Sequence, residues 1–84
     1  MKIIVDIEPF SLNQKFYVYA DGQCIETKEA PVEDFNKTIF NLSDRYNVNQ
    51  VDLVGPKSYL LGLKNSFEQE QVSNYSKNIK INII

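Results

Sequence analysis

The sequence predicts an α/β chain built on one five-stranded mixed sheet, with both of its helices packed on one face. Three observations carry that prediction. "YVYADGQCIE" sets Asp21-Gly22 between two alternating β-rich runs. This is a strong hairpin signal, because a type I′ turn needs positive φ at both central residues. "APVEDFNKTIFNLSDRYN" then changes period: Val32, Phe35, Ile39, Leu42 and Tyr46 recur every three or four residues as one helical stripe. "QVDLVGP" is a short β-branched run closed by Gly55-Pro56. It reads as a buried parallel strand turning into a helix.

The elements follow in order. Residues 2 to 8 alternate, with Ile3, Val5 and Ile7 on one side and Ile4, Asp6 and Glu8 on the other. Pro9 is expected to end this strand, and "FSLNQ" to connect it to the next. A two-residue hairpin loop at Asp21-Gly22 sets Ala20 against Gln23, Tyr19 against Cys24, Val18 against Ile25 and Tyr17 against Glu26. Phe16, Val18 and Ile25 then share the core face, and Tyr17, Tyr19, Cys24 and Glu26 the other. Pro31 suits a first helical position, and Glu33 and Asp34 suit the positive end of the helix dipole. Asn47 and Asn49 suit the exit. A second stripe, Leu60, Leu63 and Phe67 flanked by Tyr59 and Leu61, predicts a helix from Lys57 that ends between Glu68 and Asn74. "KNIKINII" alternates Ile79, Ile81 and Ile83 with Lys80 and Asn82 as a last strand. The order β-β-β-α-β-α-β, an antiparallel meander followed by two crossovers, gives the strand order 3-2-1-4-5 along the sheet.

Composition narrows the chemistry. Eighty-four residues, 43% apolar and 24% charged, predict a single domain over 1–84. No apolar run approaches the roughly 20 residues of a membrane span. Lys2 precedes only three apolar residues, which is not a signal-peptide pattern. The lone Cys24 fits a reducing cytoplasm. The Asn-, Lys-, Ile- and Tyr-rich usage suggests AT-rich coding, as in a low-GC bacterium or its phage. There is no histidine, which excludes Ser-His-Asp and Cys-His catalysis and any histidine metal ligand. The three glycines form no phosphate-cradling motif. A net charge of −2, with Arg45 the sole arginine, argues against a nucleic-acid binder that relies on basic charge.

The succession of elements resembles the ribonuclease H-like fold over nearly the whole chain. Within it, "IIVDIE" is similar to that family's first strand with its metal-binding aspartate, so the resemblance implies that role for Asp6. Members add a second acid on or near the first helix, where Glu33 and Asp34 stand here. They add another at the end of the fourth strand, and usually one on a C-terminal helix. Here the fourth strand ends "VGP", Asp52 comes two residues before Val54, and the C-terminal acidic helix has no counterpart. The related actin-like ATPase half-domain needs a Gly-rich turn after the first strand, and "EPFSLN" lacks one.

Asp6, Glu8 and Asp52 are therefore candidate catalytic carboxylates. Asp6 and Glu8 are also candidate ligands for Mg²⁺ or Mn²⁺, since such ions need converging oxygen donors. In a strand, alternate residues lie roughly 6.5–7 Å apart on one face. The competing reading makes them polar positions that keep an uncovered face soluble, with no cofactor. Cys24 reads as a small hairpin residue facing Tyr19, because no neighbour would activate a thiol. Tyr17 and Tyr19 could stack on single-stranded bases, but they lack basic companions. Lys57 and Ser58 stand at a helix N-terminus, where anions can bind, but they read first as a structural strand-to-helix turn. We read the chain as a non-enzymatic interaction module, such as a phage or mobile-element accessory protein. Ile4, Tyr17, Tyr19 and Glu26 would form its partner-binding surface. The expected partner is another protein or a second copy, as a homodimer joined through the uncovered face or through an edge strand. A minimal nuclease using Asp6 and a single-strand binder using Tyr17 and Tyr19 are the alternatives.

Overall fold

The alternating N-terminal run forms β1 (Ile3–Phe10), and the hairpin forms β2 (Asn13–Ala20) and β3 (Gln23–Pro31). After one 3₁₀ turn (Val32–Asp34) come α1 (Phe35–Tyr46), β4 (Gln50–Val54), α2 (Lys57–Asn74) and β5 (Lys80–Ile83). This computed structural model describes residues 2–74 and 78–84, with side chains for 2–70 and 78–84. Lys77, the first residue of the predicted last strand, lies outside the described residues. The sheet order is β3-β2-β1-β4-β5. The β1–β2 and β2–β3 pairs are antiparallel, and the β1–β4 and β4–β5 pairs are parallel.

The core shows why both helices share one face. Ile3, Val5, Ile7, Phe16, Val18, Val51, Leu53 and Ile81 are buried, and so are Phe35, Ile39 and Leu42 of α1 and Leu60 and Phe67 of α2. The Phe35 ring lies 6.3 Å from that of Phe16 and 6.4 Å from that of Phe67, nearly perpendicular to the latter. One side chain of α1 therefore touches both the sheet and α2. Burial of each such large apolar group contributes about 1.5–3 kcal/mol. Two amide side chains bond across elements. Gln14 Nε2 donates to the Tyr59 hydroxyl at 2.5 Å, and Asn36 donates to Glu70. The exit of α1 is closed by Asn47 in the left-handed conformation and by Ser43, whose hydroxyl donates to the Val48 carbonyl. An amide side chain tolerates that conformation at a helix end.

Three local expectations are corrected. Pro9 does not end β1, and "FSLNQ" is not a loop: the strand runs on to Phe10, and only Ser11 and Leu12 separate it from β2. Proline is tolerated there because β4 pairs with β1 only as far as Asp6, so that side of β1 needs no donor at Pro9. Pro31 does not open α1. It ends β3 in an extended conformation, and the helix starts one turn later. The third correction matters most. The hairpin register is as expected at Ala20–Gln23 and Tyr19–Cys24, but it then shifts, so that Val18 faces Glu26 and Tyr17 faces Thr27. A bulge leaves Ile25 without a partner and 40% exposed, off the core face. Glu26 then takes the core-side position that Ile25 was expected to hold.

The Asp21-Gly22 turn itself has the expected form, with φ of 53° and 80°. No heavy atom lies within 4 Å of a Cβ placed on Gly22, so only backbone strain opposes a side chain there. Gly22→Val is expected to cost about 1–3 kcal/mol in thermal or urea unfolding.

Candidate partner-binding face

The parity of β1 places Ile4, Asp6 and Glu8 opposite the buried Ile3, Val5 and Ile7. Among the described residues, both helices pack on the other side, so this sheet face carries no helix. Register fills it in row by row. Tyr19, Ile4 and Asp52 form one row across β2, β1 and β4. Thr27, Tyr17, Asp6 and Val54 form the next, and Glu29, Lys15 and Glu8 the third. Ile4, Tyr17, Tyr19 and Val54 are half-buried; Ile4, Tyr19 and Tyr17 adjoin one another, and Asp6 stands between Tyr17 and Val54. A shallow depression of about 220 Å³ is lined by Lys15, Phe16, Tyr17, Thr27, Lys28 and Glu29.

The predicted carboxylates do not converge. Asp6 pairs in register with Val54, and Asp52 with Ile4. Among the described residues, no group of three His, Cys, Asp or Glu side chains lies close enough together to hold a metal ion. Asp6 and Glu8 stay neighbours on one face. Asp52 is only 2% exposed, although it stands on the helix-free side. Gln50 Nε2 donates to it at 2.9 Å, and the Lys2 ammonium lies 3.4 Å away. A depression of about 390 Å³ lined by Asn47, Val48, Asn49 and Gln50 adjoins this pair. The sequence reading missed this arrangement of Lys2, Asp52 and Val54. The available signal was parity: with Val51 and Leu53 in the core, Asp52 and Val54 must project to the other face.

Glu26 does not belong to the face where it was expected. It lies on the helix side, where Arg45 Nη1 donates to its two oxygens at 2.7 and 2.6 Å and the Tyr46 hydroxyl donates at 2.6 Å. Partial burial pushes the Glu26 carboxyl up. The Tyr46 and Arg45 bonds outweigh that and hold it below its ordinary value. The same bond to Glu26 raises Tyr46 above its usual 10.0. Glu26 therefore stabilises the fold in its charged form, fully so above its unfolded pKa, and that contribution is lost as pH falls through its lower folded value. Tyr46 acts in the opposite sense. Its contribution is present below its unfolded pKa and is lost as pH rises through its higher folded value. Melting temperature measured from pH 3 to 11 is expected to fall at both ends, and Glu26→Gln should flatten both slopes. The head of Arg45 is exposed, so added salt should weaken the effect.

Cys24 is exposed and its thiol donates to the Glu26 carbonyl, at 3.6 Å. Lys57 and Ser58 are exposed in the first turn of α2. No helix is long and apolar enough to cross a membrane, among the described residues. No protein-family model, no curated protein and no solved structure matches the chain.

Proposed function

We propose that the chain is a non-catalytic protein-interaction module whose helix-free sheet face is the binding surface. One observation carries the reading: Ile4 on β1 pairs with Tyr19 on β2, with Tyr17 next along the same side of β2, on the sheet face away from both helices. Exposed apolar groups gathered into a patch mark contact sites more often than scattered ones do. Tyrosine also suits such a surface, since it offers a large apolar body and a polar tip. The strand order and the place of Asp6 support a ribonuclease H-like domain used for binding. The engagement of Asp52 by Gln50 and Lys2 weighs against its serving a two-metal nuclease.

The test combines Tyr17→Asp with Tyr19→Asp. This variant is expected to fold with little change in melting temperature, because neither side chain is in the core. It should lose the associations that the parent chain makes. In parallel, millimolar Mg²⁺ or Mn²⁺ is expected to leave the parent's melting temperature unchanged. A bound ion at a hundred times its Kd would add about 2.7 kcal/mol. Such a gain, with cleavage of single- or double-stranded nucleic acid that Asp6→Asn abolishes, would replace this reading with the nuclease one.

A further inference from the structure

We infer that the occupant of this face is an amphipathic helix of another protein, apolar along one stripe and carrying Lys or Arg beyond it. The inference rests on the reading of the face as a binding surface and adds the chemistry of the partner. Ile4 and Tyr19 stand opposite one another and Tyr17 comes next on β2, so the apolar cluster is two strands wide. Strands lie about 4.8 Å apart, which makes the cluster about 10 Å across, the width of a single helix with its side chains. A second sheet would need apolar groups on the outer strands as well. On this side β3 offers Thr27 and Glu29, and β5 offers Lys80 and Asn82.

The charge beside the cluster is acidic. Asp6 stands opposite Tyr17, and Glu8, Lys15 and Glu29 share the next row, so three carboxylates adjoin one ammonium. None of the three makes an ion pair among the described residues. Lys15 Nζ lies instead 5.8 Å from the centre of the Phe10 ring. At the other end of β1, Lys2 is held by Asp52. Complementary charge selects and steers a partner, so this end of the face calls for a basic one. A second copy would bring the same acidic excess against it. Asp6 and Glu8 lie one and two rows beyond Ile4, about 6.6 and 13 Å along the strand. A helix rises about 1.5 Å per residue, so those rows are about four and nine residues along a helix laid on β1 and β2. The partner therefore has apolar anchors three or four residues apart, with Lys or Arg about one and two turns beyond them. A contact of so few turns falls short of the roughly 800 Å² per partner of a standard interface, and it corresponds to micromolar binding that added salt weakens.

The probe is a displayed library of helical peptides with one face randomised, beside a library of unstructured peptides of the same length. Both are selected on the full chain, and the recovered peptides are measured by fluorescence anisotropy. Helical peptides with apolar residues three or four apart, and Lys or Arg one to two turns beyond them, are expected. Their binding should be lost in the doubly substituted Tyr17→Asp, Tyr19→Asp chain and should weaken with added salt. Glu8→Lys, at an exposed position, should weaken it about tenfold. This second variant decides the matter if the double variant folds poorly, and an unchanged Kd in it overturns the basic partner. Peptides that need the two tyrosines but are acidic, neutral or extended would overturn the basic helix and leave the face a binding surface. Recovery of no peptide, or only of peptides indifferent to the tyrosines, overturns both the helix and the face. A dimer in sedimentation equilibrium that Tyr17→Asp abolishes would give the face to a second copy instead.

Discussion

Phe35→Ala is expected to lower stability by about 3–5 kcal/mol, measured by urea unfolding at constant m-value. Phe35 is 3% exposed, and its ring contacts both Phe16 on β2 and Phe67 on α2. Truncation removes its own burial and leaves a cavity between three elements that cannot collapse together, because the sheet holds one wall rigid. A chain of this size has a total stability of only about 4–13 kcal/mol, so the variant loses a large share of it. Phe10→Ala is the control. Phe10 is 38% exposed near the end of β1, with Lys15 Nζ 5.8 Å from its ring centre, and its loss should cost less than about 1 kcal/mol. Equal effects at the two positions would mean that α1 does not pack with Phe35 inward.

Much of this was legible in the sequence because burial has a period. The spacing of Phe35, Ile39 and Leu42, the alternation at Ile3, Val5 and Ile7, and the change of period between them are direct consequences of one face meeting a core. Strand order followed from connection lengths and from the hairpin. The errors came where the deciding physics is local and has no period. The bulge beside Tyr19 shifted everything after Cys24 by one position, and a one-residue slip exchanges the two faces of a strand. That slip moved Glu26 from the helix-free face to a bond with Arg45 and Tyr46 on α1. The tight turn at Ser11 was hidden for a different reason. Ser11 takes a φ of 53° without being glycine or asparagine, so the usual turn chemistry was absent. The candidate face was legible at Ile4, Tyr17 and Tyr19, whose places depend on parity near the centre of the sheet. The Lys2–Asp52 pair was not, because it depends on which residues of two strands, distant in sequence, come side by side.

Gly55→Ala is expected to cost about 2–4 kcal/mol, although it adds a single methyl group. Gly55 links β4 to α2 with φ at +153°, a region that side-chain-bearing residues rarely enter. A Cβ there would stand 2.8 Å from the carbonyl oxygen of Ile7, closer than such atoms approach, and 3.6 to 3.7 Å from the Leu60 methyl groups. The oxygen belongs to the backbone of the central strand β1 and cannot rotate aside. Relief requires the turn to lift away from β1, which pulls on the last parallel pair, Asp6–Val54, and on the first buried residue of α2. The cost is therefore strain at one residue plus loosening of the contact between β4, α2 and the sheet. Gly62→Ala supplies the opposite case. Gly62 lies within α2 with nothing within 4 Å of a placed Cβ, and alanine there should stabilise by about 0.5–1 kcal/mol through helix propensity. Thermal unfolding of the two variants should thus shift in opposite directions. If Gly55→Ala melted with or above the parent, the turn would have to be free of Ile7. The strand-to-helix junction that sets α2 on its face of the sheet would then need to be redrawn.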